Sequence, residues 1–336
     1  MEGAEVLSGG LLSTVQDEGR FGWQAYGLPA AGAMDWYAFQ TGNMLLGNAA
    51  EVAALEITLA GPTLRFTCNS MVAVTGAPLP VLLNGKEMPL WQSFVVKTGQ
   101  QLSLGAVSAG CRAYLCVAGG ILVPKVLGSR STYLRGQLGG VDGRELAAGD
   151  FLPLEPCTAV GREGLYLLPE AIPAYPKSQS VRVMLGPQDD YFSIDALNAL
   201  LHSEYKITPE SDRMGYRLDG PQLTHKESAD IISDGVVPGA LQVPGHGTPI
   251  IMMADRPTTG GYPKIATVIT ADLWKVAQLK PGDSIRFQEV DFYQARQALY
   301  ETRALLQSIF TPNSRLFNVR VNGKKYFVRV RELEDE

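Results

Sequence analysis

The chain has 336 residues, 46% of them hydrophobic, and a formal charge of −5 with a pI near 5.4. That apolar content is enough for one large or two medium cores and excludes whole-chain disorder, while the acidic balance, with no Lys/Arg run before the tail, excludes nucleic acid as a leading partner. No N-terminal stretch has the basic, apolar, small-residue order of a signal peptide and none reaches membrane-spanning length, so the expected location is the cytoplasm.

In chain order, Asp35 is placed to cap a helix over 36–47, with Trp36, Phe39, Asn43 and Leu46 on one stripe. Val81–Leu83 followed by Asn84-Gly85 predicts a hairpin, because Asn-Gly accepts the positive φ angles of the favoured two-residue turn. Ala113–Val117 and Ile250–Met253 are short continuous apolar runs and predict buried strands. Helices are predicted over about 190–202 and about 290–309, the second with Phe292, Ala295, Leu299, Leu306 and Ile309 at helical intervals. At the C-terminus, Phe317, Val319 and Val321 alternate with polar residues, Asn322-Gly323 supplies a turn, and Tyr326, Val328 and Val330 resume the alternation, which predicts a β-hairpin. With 36 glycines and 21 prolines punctuating short apolar runs, the fold class is mainly β with a few helices.

The stretch 161–180, with Pro169, Pro173 and Pro176, marks a boundary. It divides the chain into a first β domain over 1–165, a second over 180–288, and a helix with a hairpin over 289–336. Three signatures recur in the same order on both sides of it. Arg20-Phe21-Gly22-Trp23 is echoed by Arg213-Met214-Gly215-Tyr216, the segment 59–64 by 218–223, and Lys97-Thr98-Gly99 by Lys280-Pro281-Gly282. Two related β domains follow from that order.

The four cysteines, at 68, 111, 116 and 157, form no Cys-x-x-Cys pair and are expected as buried thiols. Cys111 and Cys116, if on one strand, point to opposite faces. The histidines at 202, 225 and 246 are too scattered for a metal set, so no metal site is expected.

Several segments together resemble the biotin-dependent carboxyltransferase-like family. They are Thr14–Arg20, Gly27–Asp35, 47–56, Val117–Ile121, Leu127–Tyr133 with Arg135-Gly136, Gly186–Asp189, Ser211–Gly215, Gln242-Val243-Pro244 and Ala254–Ala266. The resemblance covers roughly residues 5–288. It implies two cyclophilin-like β-barrel domains in tandem and an activity on an amide-like substrate. Three functions remain open within it: ATP-dependent opening of 5-oxoproline to glutamate by a 5-oxoprolinase complex containing A and B subunits, biotin-dependent carboxyl transfer onto urea or a related amide, and regulation by binding a Kip-type kinase inhibitor. The chain has no Gly-x-x-x-x-Gly-Lys-Ser/Thr loop, which assigns ATP to a shared site or a partner, and no Met-Lys-Met biotin acceptor, so biotin would arrive on a separate carrier.

Such chemistry needs fixed donors for a developing oxyanion and a cation for a carboxylate or phosphate. Lys264 is the first choice for the cation, with Thr258, Thr259, Gly260, Gly261 and Tyr262 supplying hydroxyls and close-approaching amides; the same residues also suit a tight turn with a solvated lysine. Arg130, Ser131 and Thr132 offer a second cluster, or a polar loop stapled to carbonyls. Arg20 and Arg213 suit a planar carboxylate, or buried pairing with Asp17 and Asp212. Asp255 is placed to orient a base or Lys264, while Asp35, Asn43 and Glu56 are weaker candidates.

Overall fold

A computed structural model describes residues 2–155, 162–309, 314–322 and 324–331. Cys157, Gly161 and Gly323 lie outside them, as do the side chain of Ile309 and most side chains of the C-terminal hairpin.

The N-terminal part holds β1 (Gly3–Ser8), β2 (Leu12–Gln16), α1 (Trp36–Leu46), β3 (Ala54–Thr58), β4 (Thr63–Phe66), β5 (Ser70–Gly76), β6 (Val81–Leu83), β7 (Lys86–Glu87), β8 (Ser93–Val96), β9 (Gln101–Leu104), β10 (Arg112–Val117) and β11 (Phe151–Pro153). They form a six-stranded sheet in the order β11-β1-β4-β9-β6-β7 and a five-stranded sheet in the order β2-β3-β10-β5-β8. Both sheets contribute to one core, with Val6, Leu64, Phe66 and Leu102 from one and Leu55, Ile57, Val74 and Leu115 from the other. Each such aliphatic side chain contributes roughly 1.5–3 kcal/mol on burial.

The five-stranded sheet is buried on both faces, and this positions the site. Leu55, Ile57, Ala113, Leu115 and Val117 point into the core between the sheets; by the two-residue period, Glu56, Arg112, Tyr114 and Cys116 point the other way. That second face is covered by α1, which is buried nearly all round rather than on one stripe: Tyr37, Ala38, Leu45 and Leu46 join Phe39 and Asn43 inside. Asp35 caps the helix as predicted, accepting from Ala38 N at 2.9 Å. Asn43, the polar residue on that stripe, bonds the Val52 carbonyl and accepts from Asn48.

The following strands are β12 (Ser178–Leu185), β13 (Tyr205–Ile207), β14 (Gly215–Asp219), β15 (Asp234–Gly235), β16 (Ala240–Gln242), β17 (Ile250–Met252), β18 (Thr259–Gly260), β19 (Lys264–Val268) and β20 (Ser284–Glu289). Seven of them close into a barrel, β12-β19-β16-β17-β14-β13-β20, sealed by the parallel pair β12–β20. β15 and β18 form a separate two-stranded ribbon. The helices here are α2 (Ile194–His202) and α3 (Leu273–Ala277). The mainly β expectation is met; closure into a barrel is seen on this side, whereas the N-terminal strands lie in two sheets.

The predicted hairpin at 81–87 forms, with Asn84 and Gly85 both at positive φ. α4 (Phe292–Ile309) also forms, but its buried side chains are Ala298 and Leu306, with Phe292 60% exposed, so the seam lies one step round from the predicted stripe. β21 (Ser314–Val321) and β22 (Lys324–Arg331) pair as the expected C-terminal hairpin. Cys68, Cys111 and Cys116 are buried free thiols. Among the described residues no helix is long and apolar enough to cross a membrane.

Candidate functional site

The chemistry-bearing residues gather where the outer face of the five-stranded sheet meets the barrel. Register sets Glu56 on β3 directly opposite Tyr114 on β10, and the tyrosine hydroxyl donates to Glu56 Oε2 at 2.6 Å. From the barrel side Arg213, 5% exposed, places a fork on Asp255, with Nε and Nη2 each 3.0 Å from a carboxylate oxygen. Its Nη1 donates to Glu56 Oε1, and Nη2 also reaches Gly32 O at 2.7 Å. Arg112 donates to Tyr216 Oη and to the Ala277 carbonyl across the same junction. Gln278 completes it: its oxygen accepts from Cys111 N and Arg112 N at 3.0 Å, and its amide donates to Asp35 Oδ2 at 2.6 Å and Arg112 O at 2.8 Å.

Two guanidiniums thus face three carboxylates, all buried. Burial drives Glu56 upward, but Arg213 and Arg112 outweigh it and hold the carboxyl below its ordinary value. Asp255 is raised by burial despite Arg213. Burial pushes Asp35 up to about 7, against the bonds it accepts from Ala38 N and Gln278. A proton on Asp35 would leave two cations against two anions.

The loop 27–35 is strapped into this cluster from both sides. Arg20 N donates to Ala30 O and Ala33 N to Asp17 O, while Met34 N donates to Glu56 Oε2 at 2.8 Å. Gly32 has φ +91°, and a Cβ there would lie 2.6 Å from Glu18 O, so the strap needs glycine at this place. Met34 then packs among the barrel's core residues. Beside the strap, Asp17 accepts from Ser129 Oγ at 2.6 Å, Ser131 Oγ at 2.5 Å and Arg130 N at 2.6 Å. Burial raises this carboxyl, yet the serine bonds prevail and lower it.

Between the sheets and the barrel, with Arg213 and Asp255 among its lining, lies a cleft of about 310 Å³. Leu12, Thr58, Leu59 and Arg135 face it from one side, and Ile207, Pro209, Met214 and Pro281 from the other.

The residues expected from sequence fall into three places. Arg213 and Asp255 meet at the junction; Asp255 serves Arg213 rather than orienting Lys264, and Asp212 instead caps its own turn through Met214 N and Gly215 N. Arg20 donates to the Val126 and Ser131 carbonyls at 3.0 and 2.9 Å instead of pairing with Asp17. Ser131 is spent on Asp17, Thr132 on Val15 O at 3.0 Å, and Arg130 Nε on Val123 O at 2.8 Å. Lys264 sits apart from the junction. It is 3% exposed, with Nζ 2.7 Å from Asp234 Oδ2 on the ribbon whose other strand carries Thr259 and Gly260. Thr258 O accepts from Val236 N, and Tyr262 O accepts a long bond from Gln242; Gly261 O accepts from Ile231 N. Sequence reasoning passes over Arg112, Tyr114, Tyr216, Asp234 and Gln278. Alternation along β10 carries a signal for the first two; nothing local marks the others. Among the described residues no three His, Cys, Asp or Glu side chains gather as a metal set.

Residues 26–289 match the family described as carboxyltransferase domain, subdomain A and B. The chain is similar to the 5-oxoprolinase C subunit of Haemophilus influenzae, 38% identical over 305 residues that make up 91% of this chain and 97% of that protein. The Escherichia coli 5-oxoprolinase C subunit is 35% identical over the same shares. The crystal structure of Kluyveromyces lactis urea carboxylase superposes with a TM-score of 0.87 at 31% identity, over 99% of this chain and 33% of that one.

Proposed function

Because this chain belongs to the carboxyltransferase domain, subdomain A and B, family, we propose that it acts as the C subunit of a cytoplasmic, ATP-dependent 5-oxoprolinase, a hydrolase that opens 5-oxo-L-proline to L-glutamate. The observation that carries the reading is coverage: the match takes in 97% of the 5-oxoprolinase protein from Haemophilus influenzae, but 17% of the similar urea amidolyase from Saccharomyces cerevisiae. The A and B subunits of such an enzyme are the proposed partners.

Lys264 is the proposed catalytic cation. Its buried ammonium is held by one half-exposed carboxylate, Asp234, so a substrate oxyanion has one partner to displace. Thr258, Thr259 and the amides of Gly260 and Gly261 are the proposed donors beside it, with Tyr262, 42% exposed, at the surface of the same turn. Arg213 and Asp255 act as positioning residues, since their fork fixes the strap at Gly32 against the cleft. Arg20, Arg130, Ser131 and Thr132 support the strap from the other side. The buried cations Arg20, Arg112, Arg213 and Lys264 are turned onto internal acceptors, a donor set that does not fit a triphosphate. We therefore assign ATP to the partner proteins and route no step of this chain through it.

Co-purification with the A and B subunits and assay of ATP-dependent glutamate release tests the proposal; an intact complex that releases none overturns it. Lys264→Ala is expected to abolish release while leaving assembly unchanged, and retained turnover would remove Lys264 from the site. The superposition on urea carboxylase favours one second reading, carboxyl transfer from a biotin on a separate carrier. Biotin-dependent incorporation of labelled bicarbonate into urea would establish that reading in place of the first.

A further inference from the structure

A smaller cavity, of about 170 Å³, opens on the other side of the strap, between the loop 27–35 and the turn after β17. Its lining is apolar, with Phe21, Met34, Trp36, Met252 and Met253 prominent, and its charged members are Glu18 and Arg256. Arg256 is the anomaly. Its Nε donates to Val236 O at 2.9 Å and Nη1 makes a long contact of 3.4 Å with Met253 O. Among the described residues no carboxylate lies within ion-pair distance of it, whereas Arg112 and Arg213 each have one. A guanidinium carries five N–H donors in a fixed fork, so Arg256 has donors to spare beside an apolar chamber. Burial without a compensating charge pulls its pKa down to about 10.

We infer that this cavity binds a small monocarboxylate, its carboxylate on Arg256 and its apolar body against Met34, Trp36 and Met252. Size and charge set the class. At roughly 30 Å³ per water the chamber holds the volume of about six waters, suited to a small ring and far too little for a nucleotide. Glu18, in the same lining, repels a second negative group. Naming 5-oxo-L-proline as the natural occupant rests on the proposed function; the carboxylate site itself does not.

The full-length chain is titrated with cyclopentanecarboxylate, 5-oxo-L-proline and 5-oxo-L-prolinamide, following indole fluorescence, to which Trp36 contributes, and calorimetry. Both carboxylates are expected to bind saturably and the carboxamide at least tenfold more weakly. Arg256→Met is expected to weaken both carboxylates at least tenfold with an unchanged circular dichroism spectrum, and Arg256→Lys to restore part of the loss. Equal binding of acid and amide, unchanged binding by Arg256→Met, or no binding of any probe overturns the inference. If Arg256→Met does not fold, the acid-against-amide comparison on the unaltered chain decides. Cyclopentanecarboxylate that binds while the full complex releases no glutamate upholds the site and removes the 5-oxoprolinase reading alone.

Discussion

Arg20 and Arg213 open the same four-residue signature, yet the two sites are built on different electrostatics. Arg20 is fully buried and donates to two backbone carbonyls, while its nearest acid, Asp17, is held by serine hydroxyls and amides. Burial lowers the Arg20 pKa, against the attraction of Asp17 and Asp255. Arg213 donates to two carboxylates and its pKa is raised: burial opposes the charge, but Asp255 and Glu56 overcome it. The signature therefore specifies a buried arginine beside a glycine, and long-range neighbours decide whether it is neutralised by dipoles or by charge. The third repeated signature behaves otherwise. Gly99 and Gly282 both take left-handed φ, 84° and 89°, in the turn before a strand, because a turn is settled by its own residues.

The comparison can be broken by substitution. Arg213→Met strands Glu56 and Asp255 as buried charges, and a loss of about 3–5 kcal/mol in denaturant unfolding is expected. Arg20→Met leaves no stranded charge but orphans two buried carbonyls, for a loss of about 2 kcal/mol. Equal losses would show that partner charge is immaterial. A smaller effect separates the sites by pH. The folded Asp35 carboxyl titrates near 7 against an ordinary 3.8, so the native state binds its proton more tightly between those values. Stability from this group is then full below about pH 4 and falls as the pH rises toward 7, with a slope on the order of 1 kcal/mol per unit. Glu56 and Asp17, both lowered, act in the opposite sense and lose their contribution below about pH 4. Asp35→Asn is expected to flatten the profile between pH 5 and 7; an unaltered slope would mean Asp35 is charged throughout.

Much of the fold is legible in the sequence because local chemistry decides it. The Asp35 cap, the Asn84-Gly85 turn and the apolar runs of β10 and β17 each carry their instruction within a few residues. The predicted α1 stripe is too narrow, since a helix covered on several sides shows no polar face to mark its orientation. The site is legible in part. Arg213 and Asp255 stand out as residues, but their partnership spans 42 positions and that of Arg213 with Glu56 spans 157, distances at which no periodicity operates. Gln278 gives no signal because an amide at a helix end is ordinary until its four partners are in place.

The bond from Gln278 to Asp35 joins groups 243 residues apart, and this sets an order of events during synthesis. At about 5–20 residues per second, roughly 12–50 s pass between the emergence of the cap of α1 and the arrival of the amide that covers it. For that interval a helix end, an acid and two arginine-facing strands wait without their counterparts. The N-terminal sheets must therefore linger on the ribosome as a half-finished surface, and a chain truncated anywhere before residue 278 would carry that surface permanently.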